Sequence, residues 1–312
     1  MGKYGKIDAG QGAMNTKMKM LAIVMVTYNG IAYTLECIDS VMKSTFGNYT
    51  VVVVDNNSSD GTPDIVEERY DNRVIVIRQN SNTGFAKANN LGARYAIENG
   101  AKYILLLNND TEIDNLMLET LWSSREEKCI LAPKIYYFDC KNVIWFAGGK
   151  INKLKGCSEH VGLNCADNEE YSTGKEMEFA TGCCMFMPSA IITDTELFDE
   201  NYFMYLEDSD FCLRAKLAGY SIKYVPSAKM WHKVSSTSGK GTSKFQVYYN
   251  TRNRLYFVKK NRYYFRFLTF PYVLAFSVLR GIKGKVLNRE SKYALQAIRD
   301  FFRGEMGINL DL

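Results

Sequence analysis

Four polar clusters in this chain hold side chains that can do chemistry. Asn108-Asn109-Asp110 follows the apolar run 103–107, and its carboxylate and amide oxygens suit a hard divalent cation, Mg2+ or Mn2+. The same residues also read as a polar turn ending a strand. Asp55 closes the β-branched run 51–54; it can accept a hydrogen bond from a base or a ribose, or cap the next helix with residues 56–59. Glu207-Asp208-Ser209-Asp210 follows the aromatic run 203–206. A carboxylate there is a general base tuned by its neighbours, or else it opens a solvated helix in which Arg214 pairs with Asp210 at i+4. His232, directly after Trp231, is a metal ligand or an imidazole packed for structure.

Such groups work together only if a scaffold brings distant parts of the chain to one place. Residues 21–29 are a short apolar run ending in polar residues, as a buried parallel strand is. A helix is expected over about 33–43, strands over 51–54 and 74–77, and a helix with Pro63 in its first turn between them. Asn82-Thr83-Gly84-Phe85-Ala86 opens a helix reaching about residue 98, and 103–107 is a fourth strand. This alternation predicts a doubly wound, mostly parallel α/β sheet, whose ligands bind beyond the carboxyl ends of the strands. Asp55 and Asp110 both fall there. Residues 129–151 read as short strands with a Gly148-Gly149 turn, and 152–178 as a polar, irregular loop. A mixed segment follows over 178–231, and beyond 248 the chain turns basic, aromatic and helical.

Composition narrows the partners. With 46% hydrophobic and 23% charged residues, the chain reads as an ordinary folded protein. A net charge of +5 suits an anionic partner such as a nucleotide or a lipid headgroup and falls short of a nucleic-acid footprint. None of the eight cysteines is in C-x-x-C spacing, which points to free thiols in a reducing cytosol. With only His160 and His232 beside them, zinc is not expected. Residues 1–17, with Gln11-Gly12-Ala13-Met14, read as a leader or tag remnant.

Taken in order, these clusters resemble family 2 glycosyltransferases of the GT-A fold, especially the bacterial rhamnosyltransferase and galactofuranosyltransferase branch. The pieces that carry the resemblance are Val26-Thr27-Tyr28-Asn29, Val53-Val54-Asp55-Asn56-Asn57-Ser58-Ser59-Asp60-Gly61, the Asn82 to Ala86 run with Asn89 and Asn90, and Leu105 to Asp110. Ala180-Thr181-Gly182-Cys183-Cys184-Met185, Phe198-Asp199-Glu200, Phe203 to Arg214 with Gly219-Tyr220, and Trp231-His232 complete it. The resemblance implies that Thr27, Tyr28, Asn29, Asp55 and Asn57 surround a nucleoside, with Asn82, Gly84 and Lys87 near its diphosphate or base. It implies Asp110 and His232 as metal ligands beside Asn108 and Asn109, Asn108 standing where many relatives have an acid. It implies Asp208 as catalytic base with Glu207 beside it, and Trp231 and Gly182 shaping the sugar and acceptor pocket.

The implied activity is inverting transfer of a sugar from a dTDP-sugar, rhamnose first, or from a UDP-sugar, to a saccharide or polyprenyl-linked glycan in cell-surface polysaccharide synthesis. A GT-A catalytic domain over 18–247 is expected, its nucleotide-binding half about 18–127 and its acceptor half about 128–247. The segment 248–312 would be a helical appendage. Its apolar stretch 267–279, interrupted by Pro271, is shorter than the about 20 residues a bilayer span requires. Aromatics and basic flanks suit a helix lying in a membrane interface, which would place the enzyme on the cytoplasmic face of the plasma membrane; the same features suit packing on the domain or on a second subunit in a homo-oligomer. Two other functions fit a nucleotide-binding sheet. A sugar-nucleotide nucleotidyltransferase would have a Gly-rich basic loop where Thr27-Tyr28-Asn29-Gly30 stands, and a non-catalytic nucleotide-sugar scaffold would account for Asn108.

Overall fold

The computed structural model describes residues 18–70, 72–233 and 243–309; the leader expected over 1–17 lies outside them. The first half is a run of βα units: β1 Leu21–Thr27, α1 Ile31–Met42, β2 Tyr49–Asp55, α2 Thr62–Arg69, β3 Val74–Arg78, α3 Gly84–Glu98 and β4 Tyr103–Leu107. Then come β5 Thr111–Ile113, α4 Met117–Ser123, β6 Cys129–Tyr137, β7 Ile144–Phe146, β8 Gly149–Asn152, β9 Cys157–His160 and β10 Lys175–Glu176. The chain continues with β11 Cys184–Pro188, α5 Ser189–Thr195, α6 Glu207–Leu217 and β12 Ser221–His232, and ends in three helices, α7 Lys244–Lys260, α8 Thr269–Val286 and α9 Tyr293–Arg303.

The main sheet runs β10-β12-β6-β11-β4-β1-β2-β3. Strands β4, β1, β2 and β3 are parallel. Val51, Val52, Val53 and Val54 are wholly buried, each contributing about 1.5–3 kcal/mol of transfer free energy. The close approach of α3 to β1 and β2 needs a glycine: a Cβ on Gly92 would lie 2.5 Å from Val24 and 2.9 Å from Val54. Register sets the site, since Thr27 pairs with Asp55 and Asp55 with Arg78, so the polar ends of three strands share one rim.

The second half departs from the doubly wound pattern. Strand β11 is antiparallel to both β4 and β6, while β12 is parallel to β6. A bulge between Val225 and Lys229 lets β12 continue and pair antiparallel with β5, aligning His232 with Thr111. Residues 152–178 are not the irregular loop that their polarity suggests. They contain β9, which pairs with β8, a 3-10 turn at Glu169–Tyr171 and β10, which pairs with β12.

The last three helices brace one another. Tyr248 donates to Asp300 Oδ2 at 2.8 Å, and Phe301 stacks near Phe270. On α8, Val273, Ser277, Gly281 and Gly284 are buried, whereas Tyr272, Phe276, Leu279, Ile282 and Val286 form an exposed apolar stripe at helical spacing. Pro271 sits in the first turn of α8, where its missing N–H costs nothing. Among the described residues no helix is long and apolar enough to cross a membrane.

Candidate active site

The loops after β1, β2 and β3 are tied into one polar floor. Asn29, at φ 49°, donates its N–H to Ser58 Oγ at 2.9 Å and accepts from Ser59 N at 2.8 Å. Asp55 accepts from Ser58 N at 3.0 Å through Oδ2, and its Oδ1 is buried with no partner among the described residues. The organiser of this floor is Asn56, which the sequence did not single out. Its amide donates to Asn82 Oδ1 at 3.0 Å, and its oxygen accepts from Gln79 at 2.6 Å and Thr83 N at 3.0 Å. Asn57 is exposed in the left-handed region, Tyr28 is half exposed, and Lys87 projects from the first turn of α3.

Gly84 closes this side. Its φ is +85°, and a Cβ would lie 2.5 Å from the Phe203 ring and 2.6 Å from Phe203 O. Phe85 N donates to that carbonyl at 2.8 Å, linking the start of α3 to the loop before α6.

At the end of β4, the three polar residues point to different tasks. Asn109 donates to Thr34 Oγ1 at 3.0 Å and Thr27 Oγ1 at 3.4 Å, and Thr27 and Thr34 are themselves 2.8 Å apart, so Asn109 and Thr27 brace β1 against α1. Asn108 gives its N–H to Cys183 O at 2.9 Å, and its side chain is half-buried. Asp110 is turned towards β12, where Lys233 N donates to Asp110 O at 2.9 Å and His232 Nε2 lies 3.1 Å from Asp110 Oδ1. The β5–β12 pairing thus joins a carboxylate and an imidazole far apart in sequence. His232 Nδ1 is buried without a partner among the described residues, and the ring lies edge-on to Trp145 at 4.6 Å.

That pair could hold a divalent ion. Two ligands about 2.1 Å from a cation in adjacent octahedral positions are about 3 Å apart, close to the 3.1 Å seen here. Among the described residues no third His, Cys, Asp or Glu joins them.

The second carboxylate group opens α6. Asp208 Oδ2 accepts from Gly182 N at 3.0 Å, and Oδ1 accepts from Ser209 N at 2.6 Å and Ser209 Oγ at 3.1 Å. Burial raises its pKa above the usual aspartate value despite these donors. Burial pushes Glu207 up further, Asp208 adding to the effect, and Glu207 Oε2 has no partner among the described residues. Asp210 does something else: fully buried, it accepts from Arg214 at 3.0 Å, Lys260 at 2.8 Å and Asn261 at 2.9 Å, locking α6 to α7. Tyr205 and Leu206, just before Glu207, both have positive φ (75° and 71°).

The two carboxylate groups are neighbours. Cys183, kept protonated by burial, feels the charge of both Asp110 and Asp208, and His160 feels both Asp208 and His232. His160 ends the β8–β9 hairpin, lies edge-on to Trp145 at 4.5 Å, donates from Nδ1 to Trp145 O at 3.0 Å, and has its pKa lowered by burial. The sequence assigned it no role beyond its count as a histidine, because the strand that carries it, β9, has no apolar face.

A mostly parallel sheet continued by β11, β6 and β12, with acidic and imidazole groups at its rim, is the architecture of glycosyltransferases of the GT-A fold. The chain belongs to glycosyl transferase family 2, whose model matches residues 22–193, more than half of it. A second model, glycosyltransferase like family 2, matches residues 162–257. The chain is 26% identical over 191 residues to glycosyltransferase GlyG of Streptococcus pneumoniae, covering 59% of this chain and 60% of that protein. It is 26% identical over 253 residues to dTDP-rhamnosyl transferase RfbF of Shigella flexneri, covering 76% and 79%. In fold it is similar to mannosyltransferase PcManGT of Pyrobaculum calidifontis in complex with GDP-Man and Mn2+, with a TM-score of 0.58 and 14% identity over 96% of this chain and 90% of that one.

Proposed function

We propose that the chain is an inverting hexosyltransferase that moves a sugar, rhamnose from dTDP-rhamnose first and a UDP-linked sugar second, onto a saccharide or lipid-linked glycan. The observation that carries the reading is the adjacency of the Asp110–His232 pair to the buried Asp208. The similarity to the dTDP-rhamnosyl transferase of Shigella supports the donor. The Mn2+ in the complex of the archaeal mannosyltransferase and the ligand spacing support a divalent cation.

In this reading residues 18–247 form the catalytic unit and 248–312 a segment resting on the membrane surface through the α8 stripe. The nucleoside sits on the floor made by Asn29, Asp55 and Asn82, where the bare Asp55 Oδ1 accepts from the ribose or base. Asp110 and His232 would hold the cation, which would supply positive charge for the departing diphosphate. Asp208, oriented by two backbone N–H groups, takes the proton from the acceptor hydroxyl as its oxygen attacks the anomeric carbon and the bond to the diphosphate breaks. Glu207, kept protonated by burial, donates a hydrogen bond that aligns the acceptor.

Incubation with candidate sugar nucleotides, Mn2+ and a glycan acceptor tests the reading through nucleoside diphosphate release. Release lost in Asp208→Asn with nucleotide binding retained is expected. Binding without release for every donor would overturn it.

A further inference from the structure

A cavity of about 300 Å³ lies between β9, α7 and α8, outside the nucleotide floor. One wall is Leu206, the residue directly before Glu207 and Asp208, so the cavity adjoins the start of α6. Two cations line it, Arg254 and Arg280, and no carboxylate does. Arg280 has no carboxylate within ion-pair distance among the described residues, and Arg254 donates to the carbonyl of Lys155 from Nε at 2.7 Å and from a terminal nitrogen, its guanidinium 5.7 Å from the centre of the Phe276 ring. Burial lowers the Arg254 pKa, and the nearby Arg280 adds to this, so two like charges are held together without an anion to offset them. Neutral donors, Ser158, Gln246, Asn250, Thr251 and Ser277, also line it. Paired guanidinium groups with hydroxyl and amide donors around them are the chemistry that binds phosphate.

The cavity's other neighbour is apolar. Phe276 belongs both to the lining and to the exposed stripe that runs through Tyr272, Leu279 and Ile282. Charge and apolar surface meet at one helix, α8. We propose that this cavity binds the phosphate or diphosphate of a lipid-borne acceptor, Arg254 and Arg280 clamping the anion while the α8 stripe receives the apolar chain. This rests on the lipid-linked acceptor in the reading above and assigns the residues that select it.

The test uses the full chain and two surface variants, Arg280→Glu and Asn250→Asp, each of which places a carboxylate in the cavity. Binding is measured to phosphatidylcholine vesicles carrying phosphatidic acid, to vesicles of matched surface charge carrying phosphatidylglycerol, and to inorganic pyrophosphate. Pyrophosphate also reaches the nucleotide floor, but that contribution is common to all three chains and cancels. Wild type is expected to prefer the phosphate monoester vesicles, with both variants about tenfold weaker on them. Equal binding to both vesicle types, or no loss in either variant, would overturn the proposal. Discrimination by pyrophosphate alone would overturn the lipid-borne ligand in favour of a free anion. Asp208→Asn keeps the vesicle preference while losing transfer, so a failure of the catalytic reading and a failure of this one give different results.

Discussion

Asn253, wholly buried on α7, donates its side-chain amide to Tyr205 O at 3.0 Å and to Met204 O at 2.7 Å. Tyr205 and Leu206 have positive φ, which costs about 1–3 kcal/mol at each non-glycine position unless the surroundings hold it. The amide of Asn253 supplies that hold directly in front of Glu207 and Asp208. Asn253→Leu is therefore expected to lower thermal stability by about 1–3 kcal/mol and to reduce kcat, with the KM for the donor unchanged. A donor KM that rises in parallel would show that the turn serves the nucleotide instead.

The Asp110–His232 pair makes a prediction about metal response. In a thermal-shift series with nucleotide, wild type gains stability on addition of Mn2+, and Asp110→Asn and His232→Ala each lose most of that gain. Turnover falls about 100-fold or more, as when a charge-stabilising group is removed from a transition state. A Mn2+ response unchanged in both variants would remove them from the ligand set.

Asp208 sets the acid limb of the rate profile. Its carboxylate must be ionised to accept a proton, and burial raises its pKa, so kcat/KM falls as pH drops through a value above that of an ordinary aspartate. Ser209→Ala removes a hydroxyl 3.1 Å from Oδ1 that favours the ionised form, and the limb moves to higher pH. A limb that stays in place would assign the proton to another group.

Glu207 carries a stability cost that depends on pH. Its folded pKa lies above the unfolded one, so folding favours the protonated form. The cost is absent below the unfolded pKa and grows as pH rises towards the folded pKa. Glu207→Gln is expected to raise Tm at neutral pH, by about 2–4 °C for each kcal/mol relieved, and to leave Tm unchanged near pH 4. Equal gains at both pH values would point to packing rather than charge. Transfer by this variant is largely retained if the protonated carboxyl acts only as a donor, since the Gln amide donates from the same place.

Gly84 is the strictest steric position at the site. Gly84→Ala combines a positive φ with a contact 2.6 Å from a backbone carbonyl that cannot turn aside. A loss of about 1–3 kcal/mol is expected, with a raised donor KM because the α3 start and the Asn82 loop shift together. A variant as stable as wild type would mean that Phe203 moves freely.

Much of this was legible in the chain itself. The buried runs at 51–54 and 103–107 are apolar because helices cover the parallel sheet, and each ends where the sheet meets solvent, which exposes Asp55 and Asp110. Asp210 and Arg214 have the i+4 spacing that the helix uses. The role of Asp210 as the anchor of α7 was not legible, because Lys260 and Asn261 reach it from a distant helix. Asn56 was hidden among like residues, and only the fold separates it from the exposed Asn57. Strand β9 was read as loop because Cys157 to His160 give it no apolar face, and His160 was assigned no role with it. Strand β11 gave no sign of its antiparallel direction, since a strand buried on both faces looks the same either way.

The seam formed by β5 and β12 has a consequence for when the molecule becomes competent. Asp110 is in place once β4 has paired with β1, whereas His232 arrives only after β12 has also found β6 and closed a further loop across the second half. Pairings of that range are the slow ones in folding. A polypeptide released before residue 232 therefore has the whole nucleotide floor and no imidazole to complete the rim.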